Sequence, residues 1–122
     1  MLRRLLLPLA LLAVTLVAAT SGNARPTAAP KLVGVVGPGF TITLKTAAGK
    51  AVKTLTHGKY TIAVQDKASI HNFHLFGPGV NKATSVSATG NQTWTVTFKP
   101  GKYTYQCDPH AAVGLKATFK VT

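Results

Sequence analysis

A two-residue alternation of apolar and polar side chains runs through most of the chain after residue 30, and it constrains the fold more than any other feature. In "FTITLKT" the residues Phe40, Ile42 and Leu44 fall on one face, and threonine and lysine fall on the other. In "KYTIAV" and "QTWTVTFK" the apolar residues also stand at every second position. Because successive side chains of a strand point to opposite faces, this spacing predicts strands that are buried on one face.

Turn signals separate these runs, and no stretch after residue 30 has the period of a helix. "GPGF" (Gly37–Phe40) and "GPGV" (Gly77–Val80) place proline and then glycine at the centre of a turn, the order that suits a type II turn. Threonine, valine and aromatic residues dominate the runs, as strands prefer. Seven to eight short strands in fewer than 100 residues predict an all-β fold, an antiparallel sandwich or barrel.

The N-terminus has the organisation of a secretory signal peptide. The basic start Met1–Arg4 precedes the apolar run Leu5–Ala19, and small residues follow. Cleavage after Ala19 and cleavage after Ala24 both satisfy the small-residue requirement. The apolar run is shorter than the ~20 residues that a spanning helix needs, so we expect export and not a retained anchor.

This organisation predicts a signal peptide at 1–24, a short linker at 25–30 and one domain at 31–122. The expected location is secreted, periplasmic or on the outer cell surface. We expect a monomer, and contact with a membrane only if the N-terminal segment stays uncleaved.

The charge of the chain is strongly basic. Beyond residue 24 there are 12 lysines and arginines against Asp66 and Asp108 alone, which gives 12 − 2 = +10. The lysines are spread along the chain, and no nucleic-acid-binding motif accompanies them. We therefore expect no nucleic-acid partner, and a surface that favours solubility or attracts anionic polymers, acidic lipids or an acidic partner protein.

Cys107 is the only cysteine, so an intrachain disulfide is impossible. A single thiol in oxidising surroundings must be buried, paired between chains or held by a metal. In "YQCDPHAAVGL" (Tyr105–Leu115) His110 follows the cysteine after three residues, and Pro109 stiffens the link. This spacing allows the thiol and the imidazole to point into one pocket.

Three further histidines complete the set of candidate ligands. In "SIHNFHLF" we predict His71 on a separate strand, on the same face as Phe73 and Leu75, where a buried polar ring needs a partner. His74 lies three residues later, so on a regular strand its ring points to the opposite face. We choose His71 as the ligand and keep His74 as the alternative that a bulge would favour. His57, beside a turn glycine, is interpreted as a surface loop residue.

Two imidazoles and one thiolate make a trigonal N₂S set, which suits copper. Zinc usually takes four ligands, and the sequence offers no obvious fourth, although water can supply one. A thiolate bound to copper is also protected from oxidation. The residue types therefore favour copper.

The stretches "HNFHLFGPG" and "PGKYTYQCDPHAAVGL" resemble the plastocyanin/azurin group of blue-copper proteins, the cupredoxins, over Lys31–Thr122. The resemblance implies a single Greek-key β-sandwich with a type 1 site for one copper ion that cycles between Cu(I) and Cu(II). It implies that the ligands are His71, Cys107 and His110.

The resemblance also assigns the positions around these ligands. Asn72 matches the asparagine that braces the copper loop, and Asn72 and Pro109 are expected beside the ligands without binding the ion. Leu115 falls where the family has its axial methionine, and the only methionine is Met1. Because leucine cannot coordinate, this departure implies an essentially three-coordinate ion and a raised reduction potential.

Several functions are compatible with these residues. An exported one-electron carrier with a redox partner, acidic if the basic surface docks it, is the main expectation. Copper capture, storage or delivery would use the same residues, and a surface domain with a degenerate site is a further alternative. We do not expect an enzyme. Cys107 and His110 could act as nucleophile and base, but no orienting carboxylate or oxyanion donor is identifiable beyond Asp108.

Overall fold

The structure is a computed structural model, and it describes residues 14–19, residue 22 and residues 27–122. Most of the expected signal peptide, including the cleavage position after Ala24, lies outside the described residues. Within the described residues no helix is both long enough and apolar enough to cross a membrane. The strands are β1 (Lys31–Val36), β2 (Ile42–Thr46), β3 (Thr54–Leu55), β4 (Gly58–Asp66), β5 (His74–Gly77), β6 (Val80–Ala83), β7 (Gly90–Phe98), β8 (Gly101–Gln106) and β9 (Lys116–Val121), with a 3₁₀ helix at Asp108–Val113.

These strands form two sheets that enclose one apolar core. The first sheet has the order β2-β1-β4-β7, and the second has the order β3-β9-β8-β5-β6. The alternating apolar residues of both sheets point inward and are buried, among them Leu32, Ile62, Trp94, Tyr103 and Phe119. The predicted all-β sandwich is confirmed.

Both sheets are mixed, whereas the sequence predicted antiparallel pairing. β1 runs parallel to β4, and β3 runs parallel to β9. Parallel neighbours need a crossover connection, and the chain between β1 and β4 provides one because it passes through β3 in the other sheet. Alternation reveals which face of a strand is buried but not the direction of its neighbour.

The described part of the chain contains nine strands, and some of them differ from those predicted. The stretch "TSVSATG" begins with a loop that contains a turn, and β6 forms just before it. β2 begins only at Ile42, and Phe40 is 61 % exposed, so its prediction on a buried strand face was wrong. A type II turn requires positive φ at its second glycine. Gly79 satisfies this with φ 70°, but in the "GPGF" segment the positive φ falls on Gly37.

The strand registers define two ends of the sandwich. β1 and β4 end together at Val36 and Asp66, and β8 ends opposite the start of β9, where Gln106 pairs with Lys116. We call this the site end. At the far end β1, β4 and β8 begin and β9 finishes, and the backbone N–H of His57 donates to the carbonyl of Thr122 at 2.8 Å.

Candidate metal centre

Three potential ligands meet at the site end. Nδ1 of His71 lies 2.9 Å from Nδ1 of His110, and Sγ of Cys107 lies 3.5 Å and 3.3 Å from these two nitrogens. His71 and Cys107 are fully buried, whereas His110 is partly exposed. Among the described residues these three form a group whose ligand atoms all lie within 4.8 Å of one another.

The end of β8 and the short helix after it position two of these residues. Cys107 has an extended backbone directly before the helix, and Pro109 occupies its first turn, where a missing N–H costs nothing. The N–H of His110 donates to the carbonyl of Cys107 at 3.1 Å. Gly114, with φ 107°, ends the helix in a left-handed conformation that glycine adopts without strain. The loop is therefore tight enough to direct both side chains into one pocket.

His71 lies in the loop before β5, not on a strand as the sequence predicted. β5 begins only at His74, and the N–H of His71 donates to the carbonyl of Ala68 at 3.2 Å. The loop forms because its backbone bonds to side chains instead of to a neighbouring strand. The N–H of Phe73 donates to Oγ1 of Thr84 at 2.9 Å, and that hydroxyl donates to the buried carboxylate of Asp66 at 2.7 Å.

The segment Gly37–Phe40 orients the ring of His71. Nε2 of His71 lies 2.9 Å from the carbonyl oxygen of Gly39. Because a carbonyl only accepts, Nε2 must carry the hydrogen, and the neutral ring then presents the lone pair of Nδ1 to Cys107 and His110. The sequence predicted this segment only as a turn, and its contact with the site was not predicted.

Phe40 covers the two imidazoles from outside. Its ring packs edge-on against His71 at a centroid distance of 5.3 Å and against His110 at 4.7 Å. The exposed side chain of Phe40 thus covers the edge of the pocket. The sequence signal that could have revealed this contact is a large apolar residue directly after a turn.

Asn72 and Asp108 connect the two loops that carry the ligands. The amide of Asn72 donates to Oδ2 of Asp108 at 2.9 Å, and its carbonyl oxygen accepts the N–H of Asp108 at 2.7 Å. Asn72 is buried. Asn72 therefore joins the loop of His71 to the aspartate between Cys107 and His110.

His74 lies apart from the three-residue group. Its Nδ1 contacts Oδ1 of Asp108 at 2.8 Å, and its Nε2 contacts Oδ1 of Asn81 at 2.7 Å. Burial lowers the pKa of His74, but the hydrogen bonds to Asp108 and Asn81 and the charge of Asp108 outweigh it, so the pKa is raised from 6.5.

The same contact lowers the pKa of Asp108. Burial raises its pKa, but hydrogen bonds from Gln106, Asn72 and His74 and the charge of His74 outweigh it, so the pKa is lowered from 3.8. His74 thus helps to hold the loop of Cys107 through Asp108.

Leu115 closes the loop that starts at Cys107. The N–H of Cys107 donates to the carbonyl of Leu115 at 2.9 Å, and the N–H of Leu115 donates to the carbonyl of His110 at 3.2 Å. The side chain of Leu115 is buried. The backbone of Leu115 is therefore hydrogen-bonded to two of the three candidate ligands, Cys107 and His110.

The donor set fits a copper ion. Ligand atoms about 2 Å from a central ion in one plane stand about 3.5 Å apart. The three sides of the observed triangle are 2.9, 3.3 and 3.5 Å, close to that size. Imidazole nitrogen and thiolate sulfur in a three-ligand arrangement are the donors that copper prefers.

Comparison with known families decides the assignment. Residues 36–122 match the model of the copper binding proteins of the plastocyanin/azurin family. The chain belongs to this family. The resemblance stated from the sequence is thus confirmed, and the family and the His–Cys–His group together indicate a type 1 site for one copper ion.

Solved structures show the same fold. A rusticyanin variant with glutamine in place of a methionine matches with a TM-score of 0.56 and 22 % identity, over 75 % of this chain and 76 % of that chain. Rusticyanin from Thiobacillus ferrooxidans matches with a TM-score of 0.52 and 23 % identity, over 75 % of this chain and 76 % of the other. A rusticyanin variant with leucine in place of a methionine gives 0.53 and 24 %, again over 75 % and 76 %. In the comparison with curated protein sequences no significant match was found.

Proposed function

We propose that this protein is an exported one-electron carrier in which His71, Cys107 and His110 hold a single copper ion without a thioether ligand. Copper, when bound, supplies a reversible couple between Cu(I) and Cu(II). The observation that carries the proposal is the preformed triangle of donor atoms, with sides of 2.9 to 3.5 Å, in a largely buried pocket.

A separate contact restrains each ligand. Gly39 holds the ring of His71, the Asn72–Asp108 pair holds the loop of Cys107, and the short helix holds His110. Ligands that are already held in place need little rearrangement when the charge of the ion changes. This favours rapid electron exchange. A delivery module would need ligands that open to release the ion, so these restraints support the carrier.

The exposed edge of His110 is the proposed point of electron entry. His110 is the partly exposed ligand, and the site end carries exposed apolar side chains at Phe40, Ile70 and Val113. An apolar surface beside the ligand lets a partner protein approach closely and exclude water. We propose a redox partner that docks there, with acidic groups that suit the three exposed lysines nearer the site end, Lys67, Lys82 and Lys116.

Leu115 is proposed to lie at the axial position. Its support is the family motif and the two backbone hydrogen bonds to Cys107 and His110. With copper bound by His71, Cys107 and His110, the apolar side chain of Leu115 would donate no electron density to the ion and would keep water away, and both effects would favour the less charged, reduced state. We therefore propose that the reduction potential of this protein is high compared with that of other family members.

Export is proposed from the N-terminal sequence, with a signal peptide at 1–24 and a mature domain at 31–122 after a short linker. A metal-bound thiolate also suits an oxidising compartment, since the metal protects the only cysteine. We propose no catalytic reaction for this protein.

Voltammetry of the copper-loaded protein, combined with a chelator competition, tests the carrier against the delivery module. The carrier predicts a reversible one-electron wave and copper that a Cu(I) chelator removes slowly. Rapid transfer of copper to the chelator, together with no reversible wave, would assign the protein to copper delivery.

A further inference from the structure

The lysines are concentrated at the far end of the sandwich, away from the copper site. One of them is the first residue of β1, and two are the second residues of β4 and β8. Another follows β7, and another is the last residue but one of β9. All are exposed. We call the following six the far-end lysines: Lys31, Lys53, Lys59, Lys99, Lys102 and Lys120.

No acidic side chain balances this charge. The chain contains two acidic residues, Asp66 and Asp108. Asp66 is buried at the site end, and Asp108 bonds to Asn72 and His74 beside the copper ligands. The far end is therefore positive without any Asp or Glu side chain near it.

Two of the far-end lysines face each other directly. Lys102 of β8 and Lys120 of β9 are paired residues on adjacent antiparallel strands. Lys53 joins them around a surface groove of about 420 Å³ that also contacts Phe119. Like charges directly opposite each other destabilise a sheet. This arrangement is unfavourable in the isolated protein, and a nearby anionic surface relieves the repulsion.

The distribution suits a broad anionic surface better than a small ligand. The far-end lysines lie on both sheets, with Lys59 in the first and Lys102 in the second. No arginine lies among them, although arginine is the residue that grips a single phosphate or carboxylate in a fixed geometry. The electrostatic attractions of flexible, separated lysines add together when the lysines face an extended anionic plane.

The connection of the chain favours a membrane as that plane. The polypeptide enters β1 at the far end, and the preceding residues carry a basic start and the apolar run Leu5–Ala19. Such a run meets a membrane during export whether it is removed afterwards or kept. We propose that the far-end lysines dock the protein on an anionic lipid surface.

This orientation leaves the copper site accessible. Lys102 and Cys107 are five residues apart at the two ends of β8, a distance of about 17 Å at 3.3 Å per residue. The site end then faces away from the lipid and stays open to a redox partner. Docking itself does not depend on copper, whereas this consequence rests on the proposed carrier role.

Two variants with the same change in charge test the proposal. In one, Lys53, Lys102 and Lys120 are replaced by glutamine, and in the other Lys67, Lys82 and Lys116, which lie nearer the site end, are replaced in the same way. Binding of the full chain is measured by co-sedimentation with vesicles of phosphatidylcholine and phosphatidylserine at moderate salt, with pure phosphatidylcholine as reference. The reference reports any contribution of the apolar N-terminal residues.

Each far-end lysine is expected to contribute about fivefold to the affinity for anionic vesicles, so the first variant loses about 100-fold. The second variant loses less than about fivefold, and all three proteins bind the neutral vesicles equally. Salt weakens the binding of the original protein. Equal losses in the two variants would show an effect of net charge alone and would overturn the proposal.

Lysine footprinting supplies a measurement on the unaltered protein. An amine-reactive ester added to the vesicle-bound protein should label Lys67 and Lys116 but spare Lys53, Lys102 and Lys120. Uniform labelling would contradict the proposed orientation. Displacement from the vesicles by polyglutamate at equal charge concentration would assign the surface to an acidic protein instead, and would also overturn the lipid proposal.

Discussion

Asn72 holds Asp108 by two hydrogen bonds, one to its carboxylate at 2.9 Å and one from its backbone N–H at 2.7 Å. This pair joins the loop of His71 to the loop of Cys107 and His110. It fixes the distance between ligands that are 36 residues or more apart in sequence.

Replacing Asn72 by alanine should therefore loosen both loops. The change removes the two hydrogen bonds and leaves a cavity at a buried position, so we expect a loss of about 1–3 kcal/mol in the free energy of unfolding. Thermal denaturation of the copper-free protein should show a midpoint lower by roughly 4–8 °C per kcal/mol. Asn91→Ala, at an exposed position of β7, serves as the control and should change stability by about 0.5 kcal/mol or less. Equal losses in both variants would contradict the brace.

Thr84→Val tests the support beneath His71. The hydroxyl of Thr84 donates to buried Asp66 at 2.7 Å and accepts the N–H of Phe73 at 2.9 Å. Valine keeps the volume but leaves a buried carboxylate without this donor, which should cost roughly 3 kcal/mol in urea unfolding. Thr84→Ser keeps the hydroxyl and should recover most of the loss. A valine variant as stable as the original protein would rule out the network as a support.

The contact between His74 and Asp108 should make stability depend on pH. The lowered pKa of Asp108 means that its contribution is present above pH 3.8 and is lost as the pH falls through its value in the folded protein. The raised pKa of His74 means that its contribution is present below pH 6.5 and is lost as the pH rises through its folded value. The pair should thus stabilise the protein most between these limits.

The size of this effect is small because Asp108 is 42 % exposed. We expect about 0.2–1 kcal/mol. Urea unfolding of the copper-free protein at several pH values measures it. His74→Gln should lower the stability between about pH 4 and pH 6.5 and remove the fall in stability above about pH 6.5. An identical profile in that variant would show that the pair does not contribute.

Leu115→Met should lower the reduction potential of the copper-loaded protein. A thioether at this position would donate electron density and stabilise the oxidised ion. Leu115→Ile is the matched control, because it changes shape without adding a donor atom, and its potential should stay close to the original value. A methionine variant whose potential moves no more than that of the isoleucine variant would show that residue 115 is not axial.

The sequence predicted the core and the ligand group because both depend on local patterns. Alternation places Ile62 and Trp94 inward, and the spacing of Cys107 and His110 brings them to one loop. The choice of His71 over His74 assumed a regular strand through both residues, whereas His71 lies in the loop before β5 and the two rings contact different partners.

The contacts that hold the ligands were not predictable from local pattern. The carbonyl of Gly39 and the ring of Phe40 reach His71 from 31 or more residues away, and nothing in "GPGF" itself encodes that approach. The Asp66–Thr84 pair is likewise joined only by the packing of β4 against the loop after β6. Such contacts, like the parallel pairing of β1 and β4, depend on the arrangement of whole strands.

The visible absorption spectrum of the Cu(II)-loaded protein tests the central claim most directly. We expect one copper ion per chain and an intense band from charge transfer between the thiolate of Cys107 and the metal, and Cys107→Ser should lose the band while it keeps the fold. A colourless copper-loaded protein, or a serine variant that keeps the band, would contradict a copper centre built on His71, Cys107 and His110.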